Sequence, residues 1–370
     1  MSSSIAHLIL MTPGPVQLAQ EVIEKFREPI EADYGEKWAF TYNNLLESLR
    51  PLFNTEGEIF LLSGSGSLGL DACIGNSLSH GDKTIIVSNG FFGERLIEIA
   101  FKYGQQIITL TESWGKQINL NKLEETIRIN HDAKLIALVH HETSTGMINP
   151  VEEIGFIAKK YGVPVMVDAV SSIGGIPFSM DDWSVDFCVT ASQKCLGTTA
   201  GLSPVAISPR GYEIIKKNKQ PQCGWYNNFQ IWKKYNQSWS NWHPYPITFS
   251  SNLIYSLEKS LQMLIQDGLQ NRTRKYKAQK ERICEELLRL NFSEFNSSNN
   301  PLISVLLMPD ELLSSELITY LENNNKIKIA NGLGELSNKA IRIGHMSGAI
   351  SNVDINNLIS GIKDYCRERP

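Results

Sequence analysis

The chain has 370 residues, with 35 Lys plus Arg against 39 Asp plus Glu and a formal charge of −4, a length that suits one large α/β domain with a smaller companion at ~150 residues per domain. That balance leaves no basic stripe for nucleic acid, and 42% hydrophobic with 20% charged residues excludes a mainly disordered chain. No stretch approaches the ~18 uninterrupted apolar residues of a bilayer span, and Met1–His7 has neither the charged nor the apolar region of a signal peptide.

From about residue 58, strand-like and helix-like patterns alternate. Glu58–Leu62 is a short apolar run ending in a Ser/Gly loop, with a helix predicted over Leu68–Leu78. Thr84–Val87 is the next strand, Phe91–Tyr103 has helical spacing, and Gln106–Leu110 precedes a helix from about Asn121. Leu135–Val139 reads as a buried strand, Val151–Tyr161 as a helix, and Val163–Asp168 as another strand. Short buried runs joined by helices predict a mostly parallel sheet covered on both faces. Residues 218–250 are rich in Trp, Tyr, Asn and Pro and read as a packed excursion at a subunit interface. Residues 253–290 form a long amphipathic helical region broken near Gly268. Strands at Ile303–Leu307 and Ala340–Ile343, with helices near 311–323 and from Asn352, complete a small α+β domain. Six cysteines (73, 188, 195, 223, 284 and 366) lack C-x-x-C pairs, so they read as free thiols in a reducing, cytoplasmic setting.

Ser63-Gly-Ser-Gly-Ser-Leu-Gly69 lies between a strand and a helix and matches G-x-G-x-x-G at Gly64, Gly66 and Gly69. Glycines admit close backbone approach, and the helix start offers free N–H groups to a phosphate. A dinucleotide site also needs a carboxylate at the end of the next strand, which here ends Val87-Ser-Asn89. A nicotinamide cofactor is therefore disfavoured against a smaller phosphate-bearing one.

Asp168 stands at the carboxyl end of a buried strand, where open α/β sheets place their ligands. Lys194 follows another strand end, after Phe187–Val189. An anion turn, a carboxylate and a lysine are the set that pyridoxal phosphate requires. The lysine forms a Schiff base with the aldehyde, and the carboxylate pairs with the protonated pyridine nitrogen.

Read together, these motifs resemble a class V, fold-type I pyridoxal-phosphate aminotransferase of the alanine–glyoxylate aminotransferase-like group. The resemblance runs from Thr12–Pro15 through the Ser/Gly turn, Asn89–Arg95, His141-Glu-Thr-Ser-Thr-Gly-Met147, Asp168 and Ser192–Lys194 to Arg342–Met346. It implies a large cofactor domain over 15–252 with a mostly parallel, seven-stranded-type sheet between helices. A small domain would follow from 1–14 with 253–370. Lys194 then resembles the Schiff-base lysine and Asp168 the partner of the pyridine nitrogen, with Ser65, Gly66, Ser67 and Gln193 at the phosphate. Phe92 and Val170 match the residues that cover the two ring faces, and Thr143 a hydroxyl near the ring's polar edge. Tyr245 and Thr248 match residues that reach the phosphate of a neighbouring subunit, which implies a homodimer with shared sites. Arg342 resembles the clamp on the substrate carboxylate, whose planar fork suits that anion, and Gly14 is expected to line the same pocket. The activity implied is a ping-pong amino transfer from an amino acid or related amine to pyruvate or glyoxylate. No metal, nucleic acid or membrane partner is expected.

Two segments depart from the group's pattern. Thr198-Thr-Ala-Gly201 replaces a Pro-Pro-Gly turn after the lysine, and Glu31-Ala-Asp-Tyr-Gly35 stands where relatives carry histidine or arginine. Both are expected to border the donor pocket, and an acidic one would favour a cationic or amine-bearing donor. The rival reactions on the same fold are those of a cysteine desulfurase, or another lyase, and of an aminoethylphosphonate–pyruvate transaminase. A desulfurase needs a mobile catalytic cysteine, and no cysteine sits in a Gly-rich late loop. A nicotinamide dehydrogenase and a non-catalytic binding protein are remote alternatives.

Overall fold

The computed structural model describes residues 8–369, so Met1–His7, read above for targeting signals, lies outside the described residues. Seven strands form the large sheet: β1 (Glu58–Gly64), β2 (Lys83–Ser88), β3 (Gln106–Thr111), β4 (Leu135–Val139), β5 (Val165–Asp168), β6 (Phe187–Val189) and β7 (Gly201–Ile207). They lie in the order β1-β7-β6-β5-β4-β2-β3, with β7 antiparallel to both neighbours and the other pairs parallel. Every residue of β4, β5 and β6 is buried, which explains why these runs read as continuously apolar rather than alternating.

Register sets the carboxyl edge of this sheet. Val139 pairs with Asp168, and Asp168 with Val189, so three neighbouring strands end at one level. Two crossover helices start from the same edge, α1 (Gly66–Ser77) after β1 and α2 (Phe91–Lys102) after β2. Helix α1 packs close to β6 and β7 because Gly69 has no side chain. A Cβ there would lie 2.5 Å from Val189 Cγ1 and 2.5 Å from Ser203 Oγ.

The small domain carries a four-stranded antiparallel sheet in the order Ser293–Glu294, Ile303–Leu307, Ala340–Gly344, Ala330–Asn331. Its core joins Met11 from the N-terminal segment to Ile283, Leu287, Ile343 and Leu358. The Ile9–Leu10 strand pairs in parallel with Ile327–Lys328, so the chain begins on the small domain and crosses to the large one.

The expected boundary at 252/253 moves. The helix Ser251–Asp267 turns Ile254, Leu257, Leu261 and Leu264 into the large core, at the helical spacing of a single stripe. Gly268, at φ 77°, breaks the helical region as expected, and Leu269–Leu288 then serves the small core. The two cores therefore divide at Gly268.

The aromatic 218–250 stretch is packed at one end and open at the other. Trp232 is buried and meets Phe249 edge-on, whereas Trp225, Trp239 and Trp242 are exposed. All six cysteines are free.

Gly69→Val is expected to force α1 off the sheet and lower stability by about 1–3 kcal/mol, as overpacking does. The measurement is the denaturant midpoint, compared with Gly69→Ala as the milder case.

Candidate active site

A cavity of ≈ 140 Å³ opens at the carboxyl edge, lined by Ser65, Gly66, Ser67, Phe92, Asp168, Val170, Gln193 and Lys194 among others. Eight of the thirteen residues singled out from the sequence therefore meet on one wall. Each arrives through a strand end.

Ser65 caps α1 in extended geometry, at φ −82° and ψ 169°, and makes no side-chain cap bond. Its hydroxyl and the N–H groups of Gly66 and Ser67 thus remain available to an anion, while the Leu68 N–H donates to Ser65 O at 2.9 Å. Gly66 has no room for a side chain, since a Cβ would sit 2.4 Å from Val170 Cγ2. Beside this turn, the buried Oε1 of Gln193 has no partner among the described residues. A buried amide is costly to leave unsatisfied, and a phosphate would satisfy it after an amide flip. The cradle and the orphaned amide fit pyridoxal phosphate.

Asp168 accepts the Val170 N–H at 3.0 Å. Burial pushes its carboxyl up to about 6, against the lowering effect of the Val170 N–H and of the Lys194 charge. Beyond β6 the chain stays zipped to β7, with Thr190 N–H to Pro204 O at 2.9 Å and Ser192 N–H to Leu202 O at 3.0 Å. It then turns on the bond from Gly197 N–H to Lys194 O at 2.8 Å, with Gly197 at φ 77°. That turn projects Lys194 into the cavity, where its ammonium donates to Pro13 O. Burial draws the lysine down to about 8, and the neighbouring Arg342 charge acts in the same direction. Gly14 lies flat against it, because a Cβ there would be 2.4 Å from Lys194 Cδ.

Arg342 and Thr143 stand beside the cavity rather than on its wall. Arg342 comes from the small sheet, donating Nε–H to Asn331 O at 2.8 Å and an Nη1–H to Thr143 O at 3.2 Å. Burial lowers its guanidinium to about 10, which leaves it a cation at neutral pH. Thr143 thus meets Arg342 through its carbonyl, which leaves its hydroxyl role near the ring a matter of proposal.

Five residues that sequence reasoning passed over also line the cavity, and two of them are ionisable, Arg95 and His141. Arg95 is one helical turn beyond Phe92 and stacks over that ring at 4.8 Å, without an ion pair among the described residues. The i, i+3 spacing within Asn89–Arg95 carried this signal. His141 shares strand parity with Val139, which also lines the cavity. Burial draws its imidazole down to about 4, so it is neutral, with Nδ1 3.3 Å from Ser171 O and Nε2 without a hydrogen-bond partner among the described residues.

Tyr245 and Thr248 lie away from this cavity. Tyr245 is fully buried, accepts the Trp38 indole N–H and donates to Asp33 O at 3.0 Å. Only Thr248 of the pair is exposed. The two departures do not border the pocket of their own chain. Glu31 pairs on the surface with Lys37 at 3.2 Å and accepts from the Tyr255 hydroxyl at 2.8 Å, while Asp33 accepts the Phe249 N–H at 2.9 Å. Thr198 is buried against Ser256, with hydroxyls 2.8 Å apart. Their polar groups satisfy local structure, which corrects the expectation of an acidic donor pocket within one subunit.

Residues 12–337 match the family model described as aminotransferase class-V. An uncharacterized aminotransferase of Methanocaldococcus jannaschii is 32% identical over 340 residues, covering 91% of this chain and 87% of the relative. A serine–glyoxylate aminotransferase of Methylorubrum extorquens is 27% identical, covering 98% of this chain and 96% of its own. The crystal structure of an alanine–glyoxylate aminotransferase from Nostoc superposes with a TM-score of 0.93 at 28% identity, covering 98% of this chain and 96% of that one. With the lysine, the aspartate and the phosphate turn assembled on this fold, the chain belongs to the class-V aminotransferases and is a pyridoxal-phosphate-dependent transaminase.

Proposed function

We propose that this enzyme moves an amino group from an amino acid or related amine to glyoxylate or pyruvate, with Lys194 as the proton carrier and Arg342 as the carboxylate clamp. One observation carries the reading. Lys194 and Asp168 converge on the cavity fronted by the α1 turn, and Arg342 stands beside it from the other domain. The serine–glyoxylate and alanine–glyoxylate activities named for two relatives support a small 2-oxo acid as acceptor. Pyridoxal phosphate supplies an electron sink for the pair released when a substrate Cα loses its proton.

The chain's own residues do the rest. Ser65, Gly66, Ser67 and Gln193, which line the cavity, would hold the phosphate, and Phe92 and Val170 would cover the ring with apolar surface. Asp168 keeps a positive charge on the ring nitrogen. Its own pKa of about 6 leaves the carboxylate ionised at neutral pH. Lys194, held near 8, reaches the neutral amine that a nucleophile and general base requires. Arg342 retains N–H donors beyond its two backbone bonds and orients the substrate carboxylate. None of the six cysteines lines the cavity, which argues against the desulfurase reading. The free thiols support a cytoplasmic enzyme.

The working unit in this proposal is a homodimer. The Tyr34 and Trp242 rings meet tilted at 5.7 Å, those of Trp239 and Trp242 edge-on at 5.6 Å, and all three are exposed, an apolar surface suited to a second copy. Thr248, with Tyr245 behind it, would then complete the phosphate site of the partner.

The purified enzyme should absorb in the visible, be fixed by borohydride, and yield glycine or alanine by mass spectrometry from an amine panel with glyoxylate or pyruvate. Lys194→Ala should abolish the absorbance and at least roughly 10³-fold of the turnover; full turnover in that variant would sink the lysine's role. Cofactor uptake by the apoprotein should speed up as pH rises through about 8, because only the unprotonated lysine attacks the aldehyde. Arg342→Leu removes a positive neighbour, which stabilises the ammonium, so stopped-flow absorbance should report a higher apparent pKa. Trp242→Glu should shift the sedimenting species from dimer to monomer, with loss of cofactor.

A further inference from the structure

Helix α2 carries Phe92 to the cavity, and a single short loop holds its first turn. Glu142 Oε2 accepts the N–H groups of Phe92 at 2.9 Å and Gly93 at 3.0 Å. Its Oε1 accepts the Ser144 N–H at 3.1 Å and the Ser144 hydroxyl at 2.6 Å. The Ser144 oxygen in turn accepts the Phe91 N–H at 3.0 Å. Three donors that a helix start leaves open are thus taken up by two side chains of one loop. Between those two residues lies Thr143, whose carbonyl accepts from Arg342 at 3.2 Å.

The arrangement is built closely. Gly90 has no side chain because a Cβ would sit 2.5 Å from Glu142 Cγ and 2.6 Å from Ser144 Oγ. Glu142 is fully buried and is absent from the cavity lining, so it is no ligand to the cofactor. Burial raises its pKa, while the Ser144, Gly93 and Phe92 donors oppose that rise. A carboxylate suits this position because it is acceptor-only and faces four donors. It also lies at the positive end of the helix.

We propose that Glu142 is a positioning residue that sets the ring-covering Phe92 and the clamping Arg342 from one loop, coupling cofactor retention to recognition of the substrate carboxylate. The inference rests on the roles given above to Phe92 and Arg342. It differs from a purely structural role in that two separate functional constants move together when one carboxylate is altered.

The test compares single variants of the full-length enzyme. Glu142→Gln turns an NH₂ toward donors, and it should weaken the cofactor dissociation constant and raise the KM of the 2-oxo acid, each roughly tenfold. Phe92→Ala should move chiefly the cofactor constant, and Arg342→Leu chiefly the KM. The constants are read by titrating apoprotein with pyridoxal phosphate and by steady-state kinetics at saturating cofactor. Glu142→Asp, which keeps the charge but shortens the reach, should recover part of both. If Glu142→Gln lowers only the melting temperature, or moves just one of the two constants, the coupling is overturned. Should Glu142→Gln fail to fold, Ser144→Ala must show the same paired shift in smaller measure, and wild-type values there would overturn the proposal. A wild-type enzyme that takes up no cofactor would remove the roles of Phe92 and Arg342 first, and this coupling with them.

Discussion

The register of three parallel strands is the constraint on which the rest of the molecule depends. Val139, Asp168 and Val189 stand side by side, and the backbone bonds between their strands leave no freedom to slide one past another. A slip of one residue would turn each side chain to the opposite face. Asp168 would then leave the cavity, and the turn that carries Lys194 would emerge at a different height. The phosphate turn is fixed to the same frame through β1, which pairs with β7 up to Gly64. Because the strands are parallel, their carboxyl ends share one edge, and the chemistry gathers there.

The second requirement is a joint between domains. Arg342 is anchored in the small sheet opposite Val305 and Ala330, yet it donates to a loop of the large domain. That loop also holds the start of α2. Arg342 and Phe92, the proposed clamp and ring cover, are thus referred to common backbone, so both can be placed accurately although they come from different cores. The N-terminal segment makes a further crossing. Met11 packs in the small core, and Gly14 lies against Lys194 three residues later.

Burial sets the electrostatics. Asp168 and Lys194 are both drawn toward neutrality by desolvation, one rising to about 6 and the other falling to about 8. Each is partly offset by the charge of the other. The outcome is an ionised carboxylate beside a lysine that can lose its proton near neutral pH, which amino transfer requires. An exposed pair of the same residue types would keep ordinary values and provide neither.

Much was legible in the chain itself, because short continuous apolar runs and their strand-end residues follow from local pattern. The strands of the large sheet, the Ser/Gly turn, Asp168 and Lys194 could be read that way, and the order of the motifs pointed to the family. Contacts made across long separations could not. The stripe Ile254–Leu264 is amphipathic whichever core it serves, so only packing moved the domain boundary to Gly268. Glu31 and Asp33 are acidic in any reading, but hydrogen bonds to Tyr255 and Phe249 assign them to the surface and to a turn. Arg95, His141 and Glu142 were ordinary members of quoted motifs until the fold set them against the cavity or behind it. Sequence alone determined the family and with it the cofactor class, and it singled out the lysine and aspartate proposed to serve that cofactor, since motif order and strand ends are local properties. The tertiary structure decided which charges meet, which are buried and which loop ties the two domains together, because distance and desolvation exist only once the chain has packed.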